Sequence, residues 1–294
     1  MDQASAGDKW AAWVLARSHA GDPEQKQRSL RYLEPIRDHV LSNAHLGAGD
    51  VVLDVGTGDG LIAFGAIPLV GPSGRAIFSD VSRDLLEHCR GRAEDLGVAD
   101  RCQFVEASAE DLSAIEDDSV DVVTTRSVLI YVQAKEEAFR EFHRVLRSEG
   151  RLSIFEPINR YFPEDANEFW GFDATPVRDL VEKMSVHEES DVADDEDDPM
   201  MNFDEHDLLR HAEVAGFREV HVELKIDVAP GSWAEDWERL LGTAPNPNAQ
   251  TVGEAIRGAL TADEAHRFEA HLRPLVDSGR GLKRSAFAYL WAVK

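Results

Sequence analysis

The stretch VVLDVGTGDG, Val51 to Gly60, decides how the chain reads. VVLDV is a short apolar run of the kind buried on both faces of a parallel sheet, and GLIAFGAIPLV after it carries apolar residues at helical spacing. A strand that breaks at glycines and opens a helix offers its backbone to a ligand at the carboxyl edge of such a sheet. The spacing sorts the ligands. A dinucleotide fingerprint G-x-G-x-x-G starting at Gly56 and Gly58 needs a glycine at position 61, where Leu61 stands. A phosphate-cradling P-loop needs a lysine after its second glycine, and none follows Gly60 or Gly65. What remains is D-V-G-T-G-D-G over 54–60, followed by an acid, Asp80, at the end of the next apolar run, AIFSDVS.

Outward from this loop the pattern repeats. RAIFSDV, CQFVEA, SVDVVTTRS and RLSIFEP read as strands, RDLLEHCRGRAEDLG as a helix, and KEEAFREFHRVLRSEG as a helix ending at a glycine cap, Gly150. Farther on, DEHDLLRHAEVAGF reads as a helix, and EVHVELKID and SAFAYLWAV as strands. Strands alternating with helices predict an α/β protein with a doubly wound, seven-stranded, mostly parallel sheet. Trp10, Trp13, Val14, Leu30, Leu33, Ile36, Val40 and Leu41 recur at helical spacing, split by GDP at 21–23, which predicts a helical N-terminal segment. The connection before SAFAYLWAV is far longer than a sheet needs and holds helical patterns, AEDWERLL and ADEAHRFEAHLRPLV. The expected layout is N-terminal helices over 1–47 covering the ligand site, a core over 48–160, and a cap insertion with an acidic loop over 161–203. A core helix and strand over 204–227, a second helical cap over 228–284 and a final core strand over 285–294 complete it.

With 43% hydrophobic and 30% charged residues the composition is that of a folded protein. A formal charge of −25 argues against a nucleic-acid partner, because that affinity is built largely from phosphate neutralisation by Lys and Arg. No span is apolar for the ~18 residues of a membrane helix, and MDQASAGDKW lacks the basic start and apolar core of a secretory signal, so the expected location is cytoplasmic. Cys89 and Cys102 are too few for a disulfide framework or a four-thiolate metal site. The acidic run from Glu188 to Asp198 lacks the calcium-loop pattern with its turn glycine, and His206 and His211 sit five apart on diverging helix faces. No resident metal is expected.

VLDVGTGDG, the acid in FSDVS, the block EASAEDLSAIEDDSVDVVTTRSVLIYV and the block REFHRVLRSEGRLSIFEPI occur in one order. That ordered set resembles the class I methyltransferases that use S-adenosylmethionine (SAM), over most of 48–160 plus DEHDLLRHAEVAGFREVHVE. The resemblance implies a Rossmann-like fold, SAM as cofactor and S-adenosylhomocysteine as its product. SAM carries no phosphate, which suits the failure of both phosphate motifs. On this reading Gly56, Gly58 and Gly60 admit close backbone approach, and Asp80 accepts both ribose hydroxyls with Val81 beside it. Asp54 and Asp59 would attract the methionine ammonium. Relatives often carry an Asp-Ala pair for the adenine amino group. Here the pair is Ser108-Ala109, leaving the Ala109 backbone or Glu110 to read adenine. Arg126 and Ser127, after the fourth strand, fall where the family touches the methionine part.

The implied reaction is an in-line displacement of the sulfonium methyl, dominated by positioning. An amine or activated carbon needs only to be aligned and unprotonated, whereas a hydroxyl usually needs a base or metal. Glu156, ending IFEP, and Tyr131 are the candidate catalytic residues; Asn159, Arg160, Tyr161 and Trp170 are the candidate acceptor contacts. The leading expectation is a small-molecule methyl acceptor with an N or O nucleophile. A quinone-type C-methyltransferase, a protein methyltransferase and a non-catalytic SAM or S-adenosylhomocysteine binder stay open, as do monomer and homodimer.

Overall fold

In the computed structural model, residues 8–15, 23–163, 165–189, 198–231, 234 and 236–294 are described. The acidic residues 190–197 lie outside them. The chain folds as two compact units: 28–158 with 199–224 and 287–294, and 1–27 with 159–198 and 225–286. The expected N-terminal segment over 1–47 is shared between them.

The first unit grows from β1 (Val51–Val55), whose residues 52–55 are all buried. α3 (Leu61–Leu69) follows, then β2 (Arg75–Asp80), α4 (Arg83–Asp95), β3 (Cys102–Glu106), β4 (Val120–Arg126), α5 (Lys135–Val145) and β5 (Leu146–Pro157). β1 pairs in parallel with β2 on one side and β4 on the other; β3 extends beyond β2 and β5 beyond β4. The chain therefore reverses its direction of winding between β1 and β4, and that switch point opens a crevice at the strands' carboxyl ends. α7 (Glu205–Ala215), whose Asp204 and Asp207 form a capping box, precedes β8 (Arg218–Pro230). β9 (Leu282–Val293) inserts antiparallel beside β5, giving the sheet order β3-β2-β1-β4-β5-β9-β8. The C-terminal part of α2 (Pro23–Asn43) covers one face, where Ile36, Val40, Leu41 and Ala44 pack with Val52, Ile62, Phe155 and Tyr289.

One boundary differs from the sequence reading. The helix expected to reach a glycine cap at Gly150 stops at Val145, and Leu146 turns extended at φ −68, ψ 139. Leu146 is fully buried and pairs with Val120, while Arg151 pairs with Val122, so 147–150 bulge from the ladder and Glu149 takes the positive φ. Burial of Leu146 in the sheet overrides the local helix signal.

The second unit holds α1 (Lys9–Leu15), a hairpin of β6 (Glu168–Phe169) and β7 (Phe172–Asp173), α6 (Arg178–Glu189), α8 (Trp237–Gly242), α9 (Val252–Ala259) and α10 (Ala262–Asp277). Its core gathers Phe172, Leu180, Trp237, Leu240, Phe268 and Leu272. Capping boxes Thr251–Glu254 and Thr261–Glu264 start α9 and α10. Among the described residues no helix is long and apolar enough to cross a membrane.

Candidate functional site

Three glycines with positive φ, Gly56 at 63°, Gly58 at 57° and Gly60 at 82°, carry the chain from β1 into α3. A Cβ on Gly56 would overlap Val128 Cγ2 and lie 3.3 Å from its Cγ1. The loop is braced from below by Asp54, which is 2% exposed. Its Oδ2 accepts from Thr57 Oγ1 at 2.7 Å and from the Ala63 amide at 3.2 Å, and its Oδ1 accepts from Thr124 Oγ1 at 2.8 Å. The Ala63 amide belongs to the first turn of α3, whose N-cap, Gly60, has no side chain to offer, so Asp54 supplies that cap from six positions upstream. Expected as an outward-facing partner for an ammonium, Asp54 is instead an internal brace. Burial pushes its carboxyl up to about 6 against the pull of its hydrogen bonds.

Asp80 joins the end of β2 to the loop: Oδ2 accepts from the Gly58 amide at 2.9 Å, and Oδ1 from the Ser82 amide at 2.9 Å. The capping of α4 falls to Ser82 rather than Asp80, since the Ser82 Oγ accepts from the Leu85 amide. Val81 is half exposed at the same strand end. Asp59 sits in the loop with its carbonyl accepting from Arg92 Nη1, and the buried Cys89 Sγ donates to the Gly58 carbonyl at 3.3 Å. Both cysteines are free thiols.

After β3, Ser108 bridges to Asp111 and Ala109 is buried. Glu110 Oε1 accepts from the Ala134 amide at 2.8 Å, so its side chain is tied to the start of α5.

At the end of β4, Arg126 is half-buried, and among the described residues none hydrogen-bonds or ion-pairs with it. Ser127 takes a positive φ of 56° with its amide donating to the Phe155 carbonyl, and Val128 then lies over Gly56. Glu156, expected to face an acceptor, is fully buried. Its Oε1 accepts from the Val128 and Leu129 amides at 2.9 and 3.0 Å, and its Oε2 from the Ile130 amide at 3.3 Å. That geometry corrects the catalytic expectation: both oxygens are turned into the protein. Tyr131 ends the short 3-10 turn Leu129–Tyr131, and burial raises its phenol well above the usual range.

Burial also pushes the Glu156 carboxyl up to about 7, from an ordinary 4.5. The folded state therefore binds this proton more tightly than the unfolded chain. The stabilisation is fully present below about 4.5 and is lost as pH rises through about 7. The melting temperature of wild type relative to Glu156→Gln is expected to rise as pH falls from about 8 to 6.5, at most about 1.4 kcal/mol of stability per pH unit for this one group. Calorimetric unfolding of both proteins across this range checks it, and a difference that stays constant with pH would contradict it.

Asn159, Arg160 and Tyr161 form a 3-10 turn of the second unit, and Trp170 occupies its β6–β7 turn with φ 53°. His206 is exposed while His211 is buried, consistent with their placement on diverging faces. A groove of about 510 Å³ opens at the opposite, amino edge of the sheet, lined by Val51, Arg75, Gln103 and Arg147 among others, away from the glycine loop. Sequence reasoning missed Thr57, Thr124, Val128 and Lys135. Ser82, ahead of a first turn that holds Asp84, was findable as an N-cap, and Thr57 lies in the loop three positions from its partner Asp54; Thr124, Val128 and Lys135 act across elements and leave no local pattern.

A family model described as a methyltransferase domain matches residues 46–203. The ubiquinone/menaquinone biosynthesis C-methyltransferase UbiE of Hahella chejuensis is 37% identical over 140 residues, 47% of this chain and 55% of that protein. The enzyme of the same name from Pseudomonas putida is 40% identical over 116 residues, 38% and 45% of the two chains. The chain thus spans about half the length of the curated relatives it matches. Among solved structures, the YcgJ protein of Bacillus subtilis aligns with a TM-score of 0.54 at 18% identity, covering 89% of this chain and 98% of that one. A phosphoethanolamine N-methyltransferase 2 of Haemonchus contortus, solved with phosphomonomethylethanolamine and S-adenosylhomocysteine, aligns at 0.53 with 14% identity, over 97% and 56%. These two likenesses speak to the fold. With the family match covering more than half of its length and the glycine loop, the β2 acid and the β4 end gathered at one sheet edge, the chain belongs to the methyltransferase-domain family.

Proposed function

We propose that the chain holds SAM along Gly56, Gly58, Gly60, Asp80, Val81 and Arg126 and transfers its methyl to a small-molecule acceptor. The observation that carries this reading is the Gly58 amide donating to Asp80, which ties the glycine loop to the largely buried acid at the switch point. The residues fit the cofactor's parts. A carboxylate oxygen accepts more than one hydrogen bond, so the Asp80 carboxylate can hold its backbone amides and receive paired ribose hydroxyls as well. Val81 offers exposed apolar surface to a base, and Arg126 offers a guanidinium with no described partner to a carboxylate. Ser108 and the Ala109 backbone are the remaining adenine contacts, with Glu110 held away by α5.

When bound, SAM supplies an electrophilic sulfonium methyl. The core unit positions it: Asp54 and Glu156 fix the two loops, and neither presents a base outward. This favours an acceptor that reaches the site already unprotonated, an amine as its free base, its proton lost to solvent, or an already ionised oxygen. A second reading, a quinone-type ring carbon, is favoured by the names of the relatives that share the core. Incubation with SAM and a panel of amines, phenols and quinols, with products identified by mass spectrometry, separates the two. S-adenosylhomocysteine formation with none of them contradicts the small-molecule acceptor.

Arg126 makes no hydrogen bond or ion pair among the described residues, and its charge acts on Asp54 and Tyr131 only at longer range, so Arg126→Met should change the melting temperature by a few degrees at most while weakening SAM about 10- to 100-fold, the loss of one hydrogen-bonded charge contact. Calorimetry and thermal unfolding on the same preparation check both halves.

A further inference from the structure

Glu156 is a fully buried carboxylate whose oxygens are taken up by backbone amides. It sits in β5 opposite Ala288 of β9, and it gathers three consecutive amides, those of Val128, Leu129 and Ile130. Convergent amides of this kind usually receive an external anion; here the protein's own side chain fills the place. Among the described residues, the charged and titratable groups that act on it include Lys135 and the Tyr131 phenol. Lys135 is itself buried, donating to the carbonyls of Val132 and Pro199 and to Asn202 Oδ1, with Phe203 4.6 Å from its ammonium.

Burial is the dominant influence on Glu156, so above neutral pH its charge costs the fold stability. A neutral residue of the same shape would relieve that cost. What the charge secures is local. The amides it holds begin at Val128, the residue seated over Gly56, and the segment starts from Arg126 through the strained Ser127. A shift of Val128 would open the space above Gly56, and a shift of the 126–128 backbone would carry the guanidinium with it.

We propose that Glu156 is a positioning residue for cofactor binding, fixing the 126–130 backbone over the glycine loop at a cost in fold stability. The inference rests on the SAM reading of this site. Glu156→Gln keeps the size and one carbonyl oxygen but turns an amide NH₂ towards donors that need an acceptor.

The test combines thermal unfolding at pH 8, calorimetric titration with SAM, steady-state kinetics and amide hydrogen exchange on wild type and Glu156→Gln. The expected variant melts at or above wild type at pH 8 and binds SAM about tenfold more weakly. Its KM for SAM rises more than its kcat falls. The amides of Val128, Leu129 and Ile130, slow to exchange in the wild type, become fast. A variant that fails to fold, or melts clearly below wild type, contradicts the stability cost and overturns the proposal. Equal SAM affinity in wild type and variant overturns positioning alone. A wild type that does not bind SAM overturns the cofactor reading and this proposal with it.

Discussion

Gly56→Ala is expected to lose measurable SAM binding and to destabilise the fold by about 3 kcal/mol or more. Two costs add at this position. A left-handed φ of 63° costs an L-residue roughly 1–2 kcal/mol, and the new methyl would overlap Val128 Cγ2. Val128 cannot step aside cheaply, because its side chain is β-branched and its amide is held by Glu156. Gly71→Ala is the matched control: its φ is 67°, but a Cβ there meets nothing within 4 Å. That variant should show the backbone cost alone and bind SAM normally. Urea unfolding and calorimetry on both check the account, and equal behaviour of the two would contradict it.

Asp54→Ala should cost about 3–5 kcal/mol, among the largest single-residue effects on this fold. Its removal leaves the Thr57 and Thr124 hydroxyls and the Ala63 amide without their acceptor in a buried setting, and takes from α3 the cap that Gly60 cannot provide. Asp54→Asn should cost much less, since a carbonyl oxygen remains and the penalty for burying the charge disappears. The ordering Asn above Ala in urea midpoint is the outcome expected; a benign Asp54→Ala would show that Asp54 does not brace the loop.

Much of the fold was legible because its signals are local. VVLDV, RAIFSDV and CQFVEA are strands where their apolar runs stand, and the breaks at Gly56 and Gly97 announce the turns that follow. Gly150 misled, since a helix signal read along the chain carries no knowledge that Leu146 would be claimed by Val120 across the sheet. The site divides in the same way. Asp80 and the glycines could be read because the strand-loop-helix pattern puts them at one edge. Asp54 and Glu156 were recognised as important acids but given outward roles. Whether a carboxylate at a strand end faces a ligand or the protein depends on partners such as Thr124 or the 128–130 amides, which lie 70 and 26–28 positions away. The candidate acceptor contacts, Asn159 to Tyr161 and Trp170, belong to the unit with the least regular pattern, where packing rather than periodicity sets which side chains meet.

The most direct test of the central claim is isothermal titration of SAM into the wild-type protein and into Asp80→Ala. The account predicts saturable one-site binding to the wild type and a loss of about 100-fold or more in the variant, as two charge-assisted hydrogen bonds to ribose and the tie to Gly58 disappear together. Equal binding to both proteins, or none to the wild type, would contradict it.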